Sequence, residues 1–260
     1  RLMQGFAFLS AGVSQRLDAE FPRFTAELMH SVFPQYLGPT PSMVVVQFEP
    51  SAQAGALSSG YTVPRGTALR TRVNPRGASA CEFRTAQAVE LWPIEIVEIE
   101  YTSVLRDIAD LHLPSQQPLC GLVRLRLMTT NGRPFNQLRL QRLPLFLRGD
   151  DERTARLHEA LIAHSNTVVV RWGKNPSLHA ARSTAARPVR AVGFEEDEAL
   201  MPRGPAGFRA YRLLQEYFAF PNRFHFVEFA GLDAAVSRCD QDRMDVLVPL
   251  TRHEPALQGS

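Results

Sequence analysis

His158-Glu159 and His164 are the first residues in this sequence to suggest chemistry. A zinc-binding helix needs its two histidines four apart, so that both rings face one ion. Here the gap is six positions, roughly 600° of helical rotation, and the rings point to different sides. Two surface histidines on an amphipathic helix account for the pattern. Asp150, Asp151 and Glu152 could hold a divalent cation or supply a general acid and base. They also stand where a helix begins, and free amides and the helix dipole favour carboxylates there. Arg153 and Arg156 lie within reach to neutralise them, so we read helix capping.

Other motifs fail on their surroundings. Gly173-Lys174 lacks the earlier glycine of a phosphate-binding loop and reads as a turn. There is no Gly-x-Ser-x-Gly elbow, and Cys81, Cys120 and Cys239 lack metal-ligand spacing. Glu195-Glu196-Asp197-Glu198 could greet a basic partner, but a solvated loop is the plainer account. We therefore expect no catalytic, cofactor-binding or metal site, and no enzyme.

Composition supports a folded building block. The 260 residues are 45% hydrophobic and 21% charged, as in an ordinary globular protein. Net charge is only +3 with basic residues scattered, whereas a duplex-binding protein presents a basic face. All but one of the 29 basic side chains are Arg, Lys174 being the exception. Arg suits interfaces, although a GC-rich genome also gives this bias. Three distant cysteines argue against a disulfide framework and fit a reducing compartment. No apolar run approaches the ~20 residues that cross a bilayer. Arg1 already stands inside a helical pattern without a cap before it, which we read as a piece of a longer chain.

The elements that would carry these residues follow from periodicity. Leu2, Phe6, Leu9, Val13, Leu17, Phe21, Phe24, Leu28, Val32 and Tyr36 recur in steps of three and four, one stripe of a long helix. Pro22 should kink or restart it, and Pro34, Pro39 and Pro41 end the region. Met43–Phe48 reads as a buried strand. Tyr61–Val63 and Ala68–Val73 are strands around a Pro64-Arg65-Gly66-Thr67 turn. Phe83–Thr85 and Val89–Tyr101 follow. Leu122–Thr129 alternates cleanly, with Val123, Leu125 and Leu127 on one face and Arg124 and Arg126 on the other. Leu138 and Leu140 differ in parity from Leu143, Leu145 and Leu147, which predicts a bulge or bend near Gln141-Arg142.

The pattern then predicts a helix over Thr154–His164, a strand over Thr167–Trp172 and a surface loop or boundary over Lys174–Val189. A helix over Phe208–Phe218 carries Phe208, Tyr211, Leu214 and Phe218 on one side and stops at Pro221. Strands over Phe224–Phe229 and Met244–Leu250 complete an α+β chain. We divide it into a helical arm (1–40), a β-rich domain with one helix (41–185) and an α+β lobe (186–260).

Eight of the chain's aromatic residues crowd into Phe208–Phe229. Aromatics carry the largest apolar area per residue, so the cluster is core or anchor. We assign most of it to core, with Phe220 and Phe224, flanking Pro221, as exposed anchors. A stripe as long as the first one needs a partner, and we take Phe6, Leu9, Val13 and Leu17 as its partner-facing residues.

Several segments resemble the TssF family of type VI secretion baseplate subunits. They are Met3–Ala11 (MQGFAFLSA), Arg16–Pro22 (RLDAEFP), Pro41–Met43 with the run after it, Tyr61–Thr71 (YTVPRGTALRT) and Cys81–Gln87 (CEFRTAQ). Leu91–Ile96 (LWPIEI), Phe146–Asp151 (FLRGDD) and Leu213–Pro221 (LLQEYFAFP) extend the resemblance to about residue 232. The resemblance implies a non-enzymatic subunit that pairs with TssG in a wedge joining TssK and TssE. Copies of the wedge would surround the VgrG spike hub and carry the contractile sheath. It implies hetero-oligomeric contacts, no cofactor, no nucleic acid and no membrane insertion. The expected location is the cytoplasm, at a baseplate docked to the inner membrane of a Gram-negative bacterium. Two other classes fit the residues alone: a carbohydrate- or peptide-binding β-rich module, and a metal-assisted hydrolase using Asp150, Asp151 and a histidine.

Overall fold

The computed structural model describes residues 1–32, 37–50, 60–72, 80–109, 111, 113, 117–173, 179–201 and 209–258. Two compact units emerge. One joins Arg1–Val44 with Leu200–Phe220, and the other joins Val45–Ala199 with Pro221–Ser260.

The first unit is helical. α1 runs unbroken over Leu2–Val32, straight past the expected interruption at Pro22. A proline here removes one amide donor and crowds the preceding turn. Thr25 Oγ1 donates to the carbonyls of Phe21 (3.1 Å) and Pro22 (2.9 Å), giving that turn side-chain hydrogen bonds. Tyr36 lies outside the described residues. Met43–Phe48 is not a strand but unpaired chain, with Val44 and Val46 exposed and Met43, Val45 and Phe48 half-buried. α2 spans Asp151–Ala163 in the second unit, and α3, Arg209–Ala219, returns to the first.

The second unit is α+β, and among the described residues every strand pair in it is antiparallel. Its largest sheet has the order β5-β6-β12-β8-β9: Ile94–Thr102, Gly121–Thr129, Arg243–Leu250, Val169–Arg171 and Ala180–Arg182. A second sheet has the order β10-β11-β7: Val189–Ala191, Phe226–Ala230 and Arg142–Phe146. Two-stranded ribbons pair β1 (Tyr61–Val63) with β4 (Val89–Leu91) and β2 (Ala68–Arg70) with β3 (Glu82–Arg84). The sheets thus combine strands from both sides of residue 185.

β6 shows the expected alternation. Val123, Leu125 and Leu127 are buried while Arg124 and Arg126 take the other face. Val246 and Val248 of β12 and Val170 of β8 lie beside them in register. Val227 and Phe229 of β11, Ala160 and Leu161 of α2, and Ala235 and Val236 of α4 (Asp233–Val236) join the same core. The reverse face of the large sheet holds a smaller apolar cluster of Ile108, Leu122, Val169 and Leu247. Close packing of this kind leaves little tolerance: Gly231 sits at φ +67°, and a Cβ there would stand 2.5 Å from the Ala185 nitrogen.

Three expectations change here. Of the bulge or bend expected near Gln141-Arg142, no bulge forms: β7 keeps regular register with β11, and the parity changes in the non-strand stretch that leads from a 3-10 turn at Phe135–Gln137 into β7. Leu138 and Leu140, between the turn and the strand, are buried, as is Leu143 within β7. β9 lies inside the expected Lys174–Val189 loop, of which 174–178 fall outside the described residues. Phe224 belongs to a 3-10 turn, Pro221–His225, rather than to β11.

Candidate interaction surface

α1 presents its stripe to solvent. Phe6 is 76% exposed, Leu9 69%, Val13 59% and Leu17 63%, and the stripe continues exposed through Phe21, Phe24, Leu28 and Val32. None of the helix's residues is buried. From Leu2 to Val32 the steps run 4-3-4-4 twice, about 3.75 residues per step. A spacing longer than 3.6 makes the stripe drift right-handed around the helix, so a helix lying along it crosses in that sense. Covering one Leu, Val or Phe contributes about 1.5–3 kcal/mol, while association costs roughly 4–15 kcal/mol. The four residues from Phe6 to Leu17 therefore barely offset docking by themselves. Covered along its whole length to Val32, the stripe would contribute more than that cost.

α3 repeats the theme. Tyr211, Leu214, Tyr217 and Phe218 are exposed, Phe218 by 81%. Of the side foreseen for this helix, Phe208 lies outside the described residues and the other three face solvent. Glu216 is instead buried, its Oε1 accepting the amides of Leu200 and Met201 at 3.0 Å each. The aromatic cluster divides at Pro221. After it, Phe224 is buried against Phe194, ring centroids 5.1 Å apart, so Phe224 is core and not an exposed anchor. Phe220 is half-buried.

The residues that hinted at chemistry have structural employment. Asp150 caps α2, accepting the Arg153 amide at 2.9 Å. Arg153 pairs with Asp150 at 3.4 Å and Arg156 with Glu152 at 3.2 Å. His158 is half-buried on α2, its Nε2 has no hydrogen-bond partner among the described residues, and burial pushes its pKa below the usual imidazole value, helped by His225. His164 is the C-cap residue of the same helix. Burial likewise pushes the Cys239 thiol up to about 11. Among the described residues, no group of three or more His, Cys, Asp or Glu could hold a metal ion. No described helix is long and apolar enough to cross a membrane.

One network escaped the sequence reading. Glu198, the last of the acidic run, is buried and pairs with Arg190 at 3.0 Å. Its Oε2 accepts the Gly193 and Glu195 amides, and its carbonyl accepts from Arg223. Arg190 in turn reaches Glu228 on the neighbouring strand at 2.8 Å. Hydrogen bonding to Glu228, reinforced by Glu198, holds the guanidinium's pKa above its ordinary value. Only the Arg190-to-Glu198 spacing across a turn could have signalled this.

The family model described as "Type VI secretion system, TssF" matches residues 1–260. The chain belongs to the TssF family. The match runs past residue 232, where the segments read from the sequence stopped. Type VI secretion system component TssF1 of Pseudomonas aeruginosa is 42% identical over 260 residues, covering 100% of this chain and 42% of that protein. A chain in the cryo-electron microscopy structure of the type VI secretion system TssK-TssF-TssG baseplate subcomplex superposes with a TM-score of 0.74 at 27% identity. The superposition covers 98% of this chain and 45% of that one. This TssF-family chain therefore spans less than half the length of these relatives.

Proposed function

We propose that this chain is a structural part of a type VI secretion baseplate wedge, building a platform for sheath and tube through hetero-oligomeric contacts. The observation that carries the reading is the α1 stripe: a 31-residue helix with apolar residues at helical spacing and no buried position. A self-sufficient protein rarely exposes so long an apolar surface, whereas an assembly subunit uses one. The relative in the TssK-TssF-TssG subcomplex supports TssG-like and TssK-like proteins as the partner class. A TssE-like protein and the VgrG hub belong to the proposal as further neighbours, on the family resemblance alone. Phe6, Leu9, Val13 and Leu17 form the leading part of the partner-facing stripe. The role is mechanical rather than catalytic, and its place is the cytoplasmic side of the inner membrane.

The test is capture of the full-length protein, co-expressed with its TssG-like and TssK-like neighbours, as wild type and with Leu9→Asp plus Val13→Asp. Both residues are exposed, so the double variant keeps its circular dichroism spectrum and unfolding midpoint. We expect the wild type to co-elute with its neighbours and the variant to lose one of them. Undiminished capture by the variant removes α1 from the interface; failure of the wild type to capture either neighbour removes the baseplate reading itself.

A further inference from the structure

Among the described residues, β5 is an uncovered sheet edge with a chemical pattern of its own. It is nine residues long and pairs only with β6, whereas β9, at the opposite edge of the same sheet, has three residues. Among the described residues, the backbone of Ile94–Thr102 hydrogen-bonds to nothing but β6. Long free edges invite another strand, and natural proteins usually blunt them. The bulge between Ile96 and Glu98 is such a device, and it leaves Glu98–Thr102 as regular edge beyond it.

The two faces of that edge specify its occupant. On one face Ile96 and Ile99 lie opposite buried Leu127 and Leu125, yet they remain 44% and 53% exposed. The main core runs out uncovered there. On the other face, one row alternates charge across the sheet. Glu98 pairs with Arg126 at 2.7 Å, Arg126 with Asp245 at 3.0 Å, and Asp245 stands opposite Arg171. In the next row Glu100 pairs with Arg124. Each row begins on a glutamate at β5, so the next rung outward calls for a cation. A second copy of β5 paired antiparallel about Ile99 would set Glu98 against Glu100, and like charges directly opposite destabilise a strand pair. A docked helix would leave the free amides and carbonyls of the edge unpaired.

We infer that the Glu98–Thr102 edge receives an extended strand from another polypeptide, one alternating basic and apolar residues. Its backbone completes the ladder, its basic side chains face Glu98 and Glu100, and its apolar ones cover Ile99 and the adjoining core. Strand addition of this kind takes affinity from main-chain bonds and selectivity from alternate side chains. The inference stands apart from the α1 interface, since it uses a different unit and a different kind of contact.

The probe is a synthetic nine-residue peptide alternating Arg and Val, with a Glu-Val peptide as its counterpart. Both are titrated against the full-length protein by fluorescence anisotropy, and amide exchange is followed over residues 94–102. We expect the Arg-Val peptide to bind, slow exchange at 98–102, and outcompete the Glu-Val peptide. Glu98→Gln with Glu100→Gln should weaken it about 3- to 10-fold, in line with two lost cross-strand charge pairs. Because those substitutions also loosen Arg124 and Arg126, an Ile99→Lys variant, whose side chain is exposed, provides a second route to lost binding. Equal binding of both peptides overturns the inference, as does binding without protection of β5. Protection of the edge in the full-length protein alone also overturns it, because the occupant is then part of the same chain.

Discussion

α1 and β6 are built from similar apolar side chains at regular spacing, and their fates are opposite. α1 buries none of its residues. β6 leaves none of its own fully exposed, because β5 and β12 flank it and side chains from β11 and α2 join its inner face. A period names the face that must be covered; it does not say who covers it. Where the cover is local in the fold, the period becomes stability. Where it is not, the same period becomes a surface for assembly.

Truncation on each side gives the largest expected contrast. Phe229 has no exposed surface, and Phe229→Ala should cost about 3–5 kcal/mol through lost transfer energy and a cavity. Phe6→Ala, at 76% exposure, should change unfolding free energy by less than about 0.5 kcal/mol. Urea denaturation of both variants checks this. A loss at Phe6 as large as that at Phe229 would mean that α1 is folded into the protein's own core, and the comparison would collapse.

A second contrast lies within one acidic run. Glu198→Ala removes a buried acceptor of two amides and one partner of Arg190, which we expect to cost about 2–4 kcal/mol. Asp197→Ala, one residue earlier and exposed, should stay within about 0.5 kcal/mol. Equal effects would show that Glu198 behaves as a surface charge.

These contrasts explain what the sequence could reveal. β6 was legible because both its faces follow period two, and α2 because its cap, first-turn acids and apolar spacing agree. Met43–Phe48 misled because a valine-rich run has strand propensity without any say over a strand partner. The change of parity between Leu140 and Leu143 signalled a local break, but a bulge within a strand and a non-strand stretch leading into β7 give the same parity. Glu198 could not be told from Glu195, Glu196 and Asp197, since burial of a carboxylate depends on Arg190 and on amides the backbone turns toward it. The α1 stripe was fully legible as a face. Its exposure was not, because exposure depends on whether the rest of the chain supplies a cover.

The helix ends sharpen the comparison on a smaller scale. α2 has Asp150 as N-cap with Asp151 and Glu152 in its first turn; α1 has no acidic residue in its first turn. Asp150→Ala should therefore cost about 1 kcal/mol, read from the urea midpoint. A negligible loss would mean that packing of Ala160 and Leu161 alone holds α2 in place.

The smallest expected effect concerns protons on α2. His158 is half-buried, Nε2 has no partner among the described residues, and burial lowers its pKa from the usual 6.5, with His225 adding repulsion. The neutral ring is the form the fold accepts. In the unfolded chain the ring takes up a proton near pH 6.5, so below that value the unfolded state binds more protons than the folded one. Stability tied to His158 is therefore fully present above pH 6.5 and is lost as pH falls through the lower folded value. His158→Leu removes this contribution while keeping an apolar side chain against the core. The wild-type urea midpoint should fall more steeply than the variant's between about pH 7 and pH 5, with the two curves parallel above pH 7. Parallel curves throughout would mean that His158 is as hydrated as the residues of α1, and that α2 covers the core less completely than its burial indicates.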